Sequence, residues 1–136
     1  MILLDTDVSV AYLRGVPRIV QRMSDFLDED LRIPAMSAAE LFYGAEKSGA
    51  REESLARLDE YLSLLPVLQT DMETLRAFGS AKALHSRAGL PIPDADLLIG
   101  CAALAHGCPL ATGNARHLSR IPGIQLLFWF DDTPQS

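Results

Sequence analysis

The sequence has few cysteines and no long hydrophobic run. Cys101 and Cys108 are the two cysteines among 136 residues, without CxxC spacing or histidines at metal-ligand intervals. This argues against a disulfide framework or a zinc site, and both thiols are expected to be reduced, in or near the core. The longest apolar run, 97–105, is too short for a bilayer core of about 30 Å, and no positively charged leader precedes an apolar stretch. The sequence predicts a soluble, cytoplasmic protein with no membrane partner.

Basic side chains are also scarce. Twelve Lys and Arg residues face eighteen Asp and Glu residues, which gives a formal net charge of −6, and no lysine follows Lys82. This balance does not favour nonspecific binding to nucleic acid, which relies on basic side chains neutralising phosphates. Acids gathered at one site would change that expectation, because a bound divalent cation inverts the local field. The positions of the acids along the chain therefore matter more than their number.

The hydrophobic residues, 49% of the chain, suffice for the core of one domain spanning 1–136, with a frayed tail after Asp131. Short, continuous apolar runs predict strands at 1–4, 31–34, 66–68, 110–112 and 124–130. Helical periodicity predicts helices between them, including one from Pro17 and one from Asp94 to His106. Strands of this kind alternating with helices indicate an α/β fold with a parallel sheet covered on both faces.

Several residues predict where the helices begin and end. Thr6 or Asp7 can cap the first helix, and Ser37 with Glu40 fits a capping box. Asp71 is expected to cap a long helix that Gly89 ends. The residues of its predicted apolar face are Leu75, Phe78, Ala81 and Leu84.

Four oxygen-bearing side chains are predicted at one rim of the sheet, because ligands of open parallel sheets bind beyond the carboxyl ends of the strands. Asp5 closes the first strand, and Glu40 lies in the first turn of the helix after the second. Asn114 lies just past Thr112 at the end of another strand, and Asp96 opens the helix that feeds that strand. Such hard oxygen ligands are those that magnesium or manganese prefers.

Each of these residues also has a structural interpretation. Asp5 and Asp7 could cap the first helix, and Glu40 alone fits the capping box better than a catalytic role. Asp94 and Asp96 could both favour the helix dipole, which is the interpretation preferred for Asp94. Asn114 could be a turn residue. The joint pattern, not any single residue, favours a metal site.

The sequence resembles a PIN domain, and closely the VapC-type ribonuclease toxins of toxin–antitoxin pairs, over essentially its whole length. The matching segments are ILLDTDVSVAYLRG, MSAAELFYGAEKS, PIPDADLLIGCAALAHG and LATGNARHLSRIPGIQLLFW. By position, Asp5, Glu40, Asp96 and Asn114 fall on the four acidic or amide positions of the family. The resemblance implies a three-layer α/β/α sandwich and a Mg²⁺- or Mn²⁺-dependent endoribonuclease that cleaves cellular RNA, with tRNA or rRNA as the expected class. It also implies a homodimer and a cognate antitoxin whose partner domain, not this chain, reads promoter DNA.

Roles can be assigned on that basis. We expect Asp5 and Asp96 to be direct metal ligands, Glu40 to bind a second ion or orient the attacking water, and Asn114 to act through a water, with Thr112 in support. Asp7 and Asp94 depart from the family pattern, and either could join the metal shell. The candidates for phosphate contacts are Arg14, Lys47, Lys82, Arg87 and Arg116, of which Arg14 and Arg116 are preferred. Phe42, Tyr43 and Trp129 are expected in the core or at an interface. His117 is assigned no role.

Two other functions compete with this interpretation. A haloacid-dehalogenase-type phosphatase would use the segment 5–9 as nucleophile motif, Thr112, and Asp131 with Asp132, but it needs a late lysine that the chain lacks. A receiver-type signalling domain fails for the same reason. The non-enzymatic alternative is an inactive PIN-like module that binds a partner through the apolar helices at 19–65.

Overall fold

The computed structural model describes residues 1–132, and the expected fraying of the tail beyond Asp132 lies outside them. Its centre is a five-stranded parallel sheet in the order β3-β2-β1-β4-β5. The strands are β1 (Ile2–Leu4), β2 (Leu31–Pro34), β3 (Val67–Leu68), β4 (Leu110–Ala111) and β5 (Leu126–Leu127). All five fall within predicted runs, so the parallel sheet is confirmed.

Helices cover both faces of the sheet. They are α1 (Thr6–Leu13), α2 (Pro17–Asp25), α3 (Ala35–Glu46), α4 (Arg51–Leu64), α5 (Met72–Arg87), α6 (Asp94–His106) and α7 (Ala115–Leu118). Ile2 and Leu4 of β1 pack with α1 to α4 in a first core, whereas Leu3 packs with α6 and α7 in a second core on the other face of the sheet, as the alternation of side chains along a strand requires. The result is a three-layer α/β/α sandwich. Within residues 1–132, none of the helices combines the length and the apolar character needed to cross a membrane.

The structure corrects the predicted start of one helix and decides between the caps predicted for another. The α3 helix begins at Ala35 directly after β2, so Ser37 lies inside the helix, buried, and its hydroxyl has no hydrogen-bond partner among the described residues. The predicted capping box of Ser37 with Glu40 therefore does not form, and Glu40 is available for another contact. The first helix is capped by Asp5, which confirms one of the predicted caps and excludes Thr6 and Asp7.

The α5 helix begins and ends as predicted, and Phe78 and Ala81 of its predicted apolar face pack against the core, whereas the two leucines do not. Asp71 caps it by accepting a hydrogen bond from the Thr74 amide at 2.9 Å, and Gly89 follows its end with a φ of +72°. Leu75 and Leu84, predicted on the apolar face, are 47% and 53% exposed. The buried face, turned towards the second core, holds Thr74, Ala77, Phe78, Ala81 and His85. These residues recur every three or four positions from Thr74 to His85, so they form one continuous helical face that does not include Leu75 or Leu84.

Both cysteines are free and buried, as predicted. Burial raises the pKa of the Cys101 thiol to about 11 and raises that of Cys108 as well. Both thiols are therefore protonated at neutral pH and are poor nucleophiles.

Candidate active site

The predicted rim residues line one cavity of about 640 Å³ at the carboxyl edge of the sheet. Its polar lining residues are Asp5, Thr6, Asp7, Glu40, Asp96, Asn114 and Arg14. They come from the ends of β1 and β4 and from α1, α3 and α6, elements that are far apart in sequence. The parallel sheet brings them together because its strands all end at the same edge.

Asp5 is held at the centre of this cavity by hydrogen bonds to both carboxylate oxygens. It is only 5% exposed. The Thr6 amide donates to Oδ1 at 2.7 Å, and the Thr112 hydroxyl donates to Oδ2 at 2.7 Å. The backbone amide of Asn114 in turn donates to the Thr112 hydroxyl oxygen at 2.8 Å. Thr112 therefore links Asp5 to the loop that carries Asn114.

Glu40 reaches the same cavity from α3. The Thr6 hydroxyl donates a hydrogen bond of 2.6 Å to its Oε1, across 34 positions of sequence. Thr6 was predicted as a helix cap or as part of the segment 5–9 of the phosphatase alternative, and its contact with Glu40 was not predicted. The position of Thr6 directly after Asp5 is the one signal that could have suggested it.

His117 contacts Asp96, a further contact that sequence reasoning missed. The two side chains are 29% and 25% exposed, and the His117 Nδ1 lies 3.1 Å from the Asp96 Oδ2. Asp96 is in the first turn of α6, and His117 is in α7, one helical turn after Asn114. That spacing from Asn114 was a usable signal, since residues three apart lie on one face of a helix.

Burial, with the nearby carboxylates, disfavours the charged forms of two aspartates in this cavity. Burial, and then the neighbouring Asp7, raises the pKa of Asp5 to about 7, although hydrogen bonds from Thr112 and Thr6 oppose the change. Burial also raises the pKa of Asp7, whose Oδ2 accepts a hydrogen bond from the Gly113 amide at 2.9 Å. The other oxygen of Asp7, Oδ1, is buried and has no hydrogen-bond partner among the described residues.

This donor set fits a hard divalent cation, which would offset the repulsion between carboxylates. Among residues 1–132, however, no three His, Cys, Asp or Glu side chains are grouped tightly enough to hold a metal ion as they stand. Magnesium tolerates such an open arrangement, because it keeps several waters and uses one or two protein carboxylates.

Other predicted site residues lie elsewhere. The Asp94 carboxylate is 65% exposed and pairs with Lys82 at 3.1 Å, outside the cavity. Arg116 does not line the cavity, whereas Arg14 does.

The surroundings of Asp131 and Asp132, the late acids of the phosphatase alternative, also differ from what that alternative requires. Arg18 of α2 binds the Asp132 carboxylate, and Arg22 donates to the Asp131 carbonyl at 2.7 Å. Neither acid lines the cavity that contains Asp5. The late acidic pair is therefore not placed to assist a nucleophile at position 5.

A family model of the PIN domain matches residues 2–124. The chain is 32% identical, over 127 residues, to the tRNA(fMet)-specific endonuclease VapC of Salmonella typhimurium, and the match covers 93% of this chain and 96% of the relative. It is 30% identical to ribonuclease VapC2 of Rickettsia felis, with the same coverage. These relatives are ribonucleases, and the alternatives of a phosphatase and of an inactive binding module find no support among them.

The fold agrees with solved structures of similar proteins. The crystal structure of DNA-bound VapBC from Salmonella typhimurium matches with a TM-score of 0.88 at 32% identity, covering 94% of this chain and 97% of that one. The three-layer arrangement inferred from the sequence is thus shared along almost the entire chain.

Proposed function

This chain belongs to the PIN-domain family, in its VapC-type branch of toxin ribonucleases, and we propose that the acidic cavity at the carboxyl edge of the sheet is where it hydrolyses RNA with a divalent cation. One observation carries the assignment of the site. Asp5, Glu40 and Asp96, from three separate elements, line the same cavity, and each is held by a hydrogen bond from outside its own element. Purely structural caps would not need those long-range partners.

The side chains have distinct roles in this proposal. Asp5 and Asp96 would hold Mg²⁺ or Mn²⁺, Glu40 would orient the attacking water or hold a second ion, and Asn114 would act through a water. The cation supplies stabilisation of negative charge on the phosphate and a more acidic water. The contribution of the protein is to hold its carboxylates in place before substrate arrives, which is what Thr6, Thr112 and His117 do for Glu40, Asp5 and Asp96. Asp7 lines the same cavity and could become a further metal ligand, whereas Asp94 lies outside the cavity and is not among the proposed ligands.

Cellular RNA, with tRNA or rRNA as the class, is the proposed substrate. The relative from Salmonella typhimurium is named as specific for tRNA(fMet), which supports this class. The chain carries a net charge of −6, so attraction of phosphates must arise locally, from the cation and from Arg14 at the cavity. We place the reaction in the cytoplasm, with residues 1–136 acting as a single domain.

A cognate antitoxin is the expected protein partner, since the matching solved structures include toxin–antitoxin complexes. We propose that it binds the hollow of about 610 Å³ between the ends of α1, α2 and α4, where Leu27 and Leu64 are 73% and 74% exposed. Exposed apolar groups of this size are typical of interaction surfaces. We also propose that the chain forms a homodimer and that the antitoxin, not this chain, contacts DNA.

The decisive experiment is cleavage of a panel of folded tRNAs and rRNA by the purified, antitoxin-free protein. Reactions with Mg²⁺, Mn²⁺ or EDTA are run for the wild type, for Asp96→Asn and for the matched control Asp59→Asn, an exposed residue of α4. We expect cutting that EDTA and Asp96→Asn eliminate and that Asp59→Asn preserves. A phosphomonoester is tested in parallel. Its hydrolysis without RNA cleavage would contradict the proposal and favour a phosphatase, and hydrolysis of neither substrate would favour a binding module.

A further inference from the structure

The acidic cavity has an apolar side that the proposed chemistry does not use. Beside the carboxylates, it is lined by Val10, Ala11, Val16 and Phe130. Phe130 is partly buried against the first core, and part of its surface remains exposed. The structure therefore places an aromatic residue beside the carboxylates of the proposed catalytic site.

The position of this ring depends on Gly113. A Cβ at position 113 would lie 2.9 Å from the Phe130 Cδ2 and 2.8 Å from the Asp7 Oδ2. Both distances are shorter than a Cβ can tolerate, so the glycine is what allows the ring to approach the loop that carries Asn114. The edge of the Phe130 ring and the Asp7 carboxylate therefore both lie next to Gly113, where the apolar and acidic parts of the cavity lining are adjacent.

The segment that carries Phe130 is fixed to the body of the domain on both sides. Before it, Trp129 is fully buried and stacks on Phe26 with ring centroids 5.2 Å apart. After it, the Arg18 guanidinium donates to the Phe130 carbonyl and to the Asp132 carboxylate. A backbone held in this way keeps the ring at the cavity before any ligand binds, which reduces the entropic cost of binding.

We propose that Phe130 is the platform on which a nucleobase of the RNA, adjacent to the scissile phosphate, stacks. Single-stranded RNA is commonly recognised by bases stacked on aromatic side chains, and such stacking tolerates different bases. An uncharged contact also suits this chain, because the carboxylates that bind the cation repel the neighbouring phosphates. Arg18 is then a positioning residue that acts through Phe130. This inference rests on the proposed ribonuclease function.

The test compares variants of Phe130 on an RNA that the wild-type protein cleaves and whose cut site has been mapped. Phe130→Leu retains apolar volume but removes the aromatic face, and Phe130→Tyr retains that face. Phe78→Leu is the matched control, since Phe78 is partly buried on α5 and does not line the cavity. We expect Phe130→Leu to lower kcat/KM by about fivefold to about a hundredfold, mainly through KM. Phe130→Tyr and Phe78→Leu should stay near the wild-type value.

A second measurement removes the base instead of the ring. RNAs with a single abasic nucleotide on either side of the cut are compared with the intact RNA. In the wild type, one of these abasic sites should lower kcat/KM about as much as Phe130→Leu does, whereas in Phe130→Leu it should have little further effect. Because the wild-type arm needs no substitution, it remains informative if Phe130→Leu folds poorly.

The outcomes separate the two proposals. If the wild type cleaves RNA and neither Phe130→Leu nor any abasic site changes kcat/KM, the stacking proposal is overturned while the ribonuclease stands. Additive effects of the substitution and the abasic site would also overturn it. If the wild type cleaves no RNA, the proposed function fails and the stacking proposal fails with it.

Discussion

Replacing Asp5 by Asn should abolish RNA cleavage and yet stabilise the metal-free protein. The pKa of Asp5 rises from 3.8 to about 7 on folding. A difference of this size costs about 4 kcal/mol of folding free energy once the group is fully ionised. Asn removes that charge, and its side-chain oxygen can still accept the hydrogen bond from the Thr6 backbone amide. Its NH₂ group, however, replaces the oxygen that accepts from the Thr112 hydroxyl, and the loss of that hydrogen bond costs about 1 kcal/mol. The net gain should be about 1–3 kcal/mol, or roughly 3–10 °C in melting temperature.

The pH dependence of this gain follows from the direction of the pKa shift. Because the folded-state pKa is raised, the folded chain binds the proton more tightly than the unfolded chain does. The cost of Asp5 is therefore absent below the unfolded pKa of about 4, grows as the pH rises to about 7, and is constant above that value. The advantage of Asp5→Asn in melting temperature should be largest at pH 8 and vanish near pH 4.

Thermal melts in EDTA at pH 4, 6 and 8 measure this, with Asp59→Asn as the matched control that should match the wild type. Adding Mg²⁺ should raise the melting temperature of the wild type more than that of Asp5→Asn, because a ligand that binds only the folded state stabilises it by mass action. An Asp5→Asn variant that melts at or below the wild-type temperature in EDTA at pH 8 would refute the reasoning. It would show that the hydrogen bonds of the carboxylate outweigh the cost of its buried charge.

Three further predictions concern a positioning contact, a helix cap and the partner surface. His117→Ala should lower kcat and weaken Mg²⁺ activation by about 10- to 100-fold, through loss of the hydrogen bond to Asp96; metal titrations of cleavage test this, and unchanged activation would contradict it. Asp71→Ala should lower the melting temperature by a few degrees through loss of the α5 cap, and the effect should shrink in acid, because the hydrogen bonds from Thr74 lower the pKa of Asp71 and the stabilisation is lost as the carboxylate is protonated. Leu64→Glu, alone or with Leu27→Glu, should leave RNA cleavage intact and weaken neutralisation by the co-expressed cognate antitoxin. Full neutralisation of these variants would contradict the proposal that the antitoxin binds this hollow.

The sequence alone determined the order of the elements and the edge at which the acids gather. Short apolar runs, prolines at helix starts and glycines at helix ends act over a few residues, so they can be interpreted locally. Asp5 at the end of β1 and Asn114 just beyond β4 were predictable for that reason, because a parallel sheet brings the strand ends to one edge. The resemblance to the family then added roles to positions that the local pattern had already singled out.

The tertiary structure decided what the side chains at that edge contact. The predicted capping box was wrong because β2 passes directly into α3 at Pro34, which moves the helix start and leaves Glu40 to accept a hydrogen bond from Thr6. The contact between His117 and Asp96 joins α7 to α6, and the contact of Phe130 with Gly113 joins the end of the chain to the β4 loop. These contacts depend on how the elements pack. Spacing along the chain gave only indirect signals for them, because local propensity does not record distances between residues far apart in sequence.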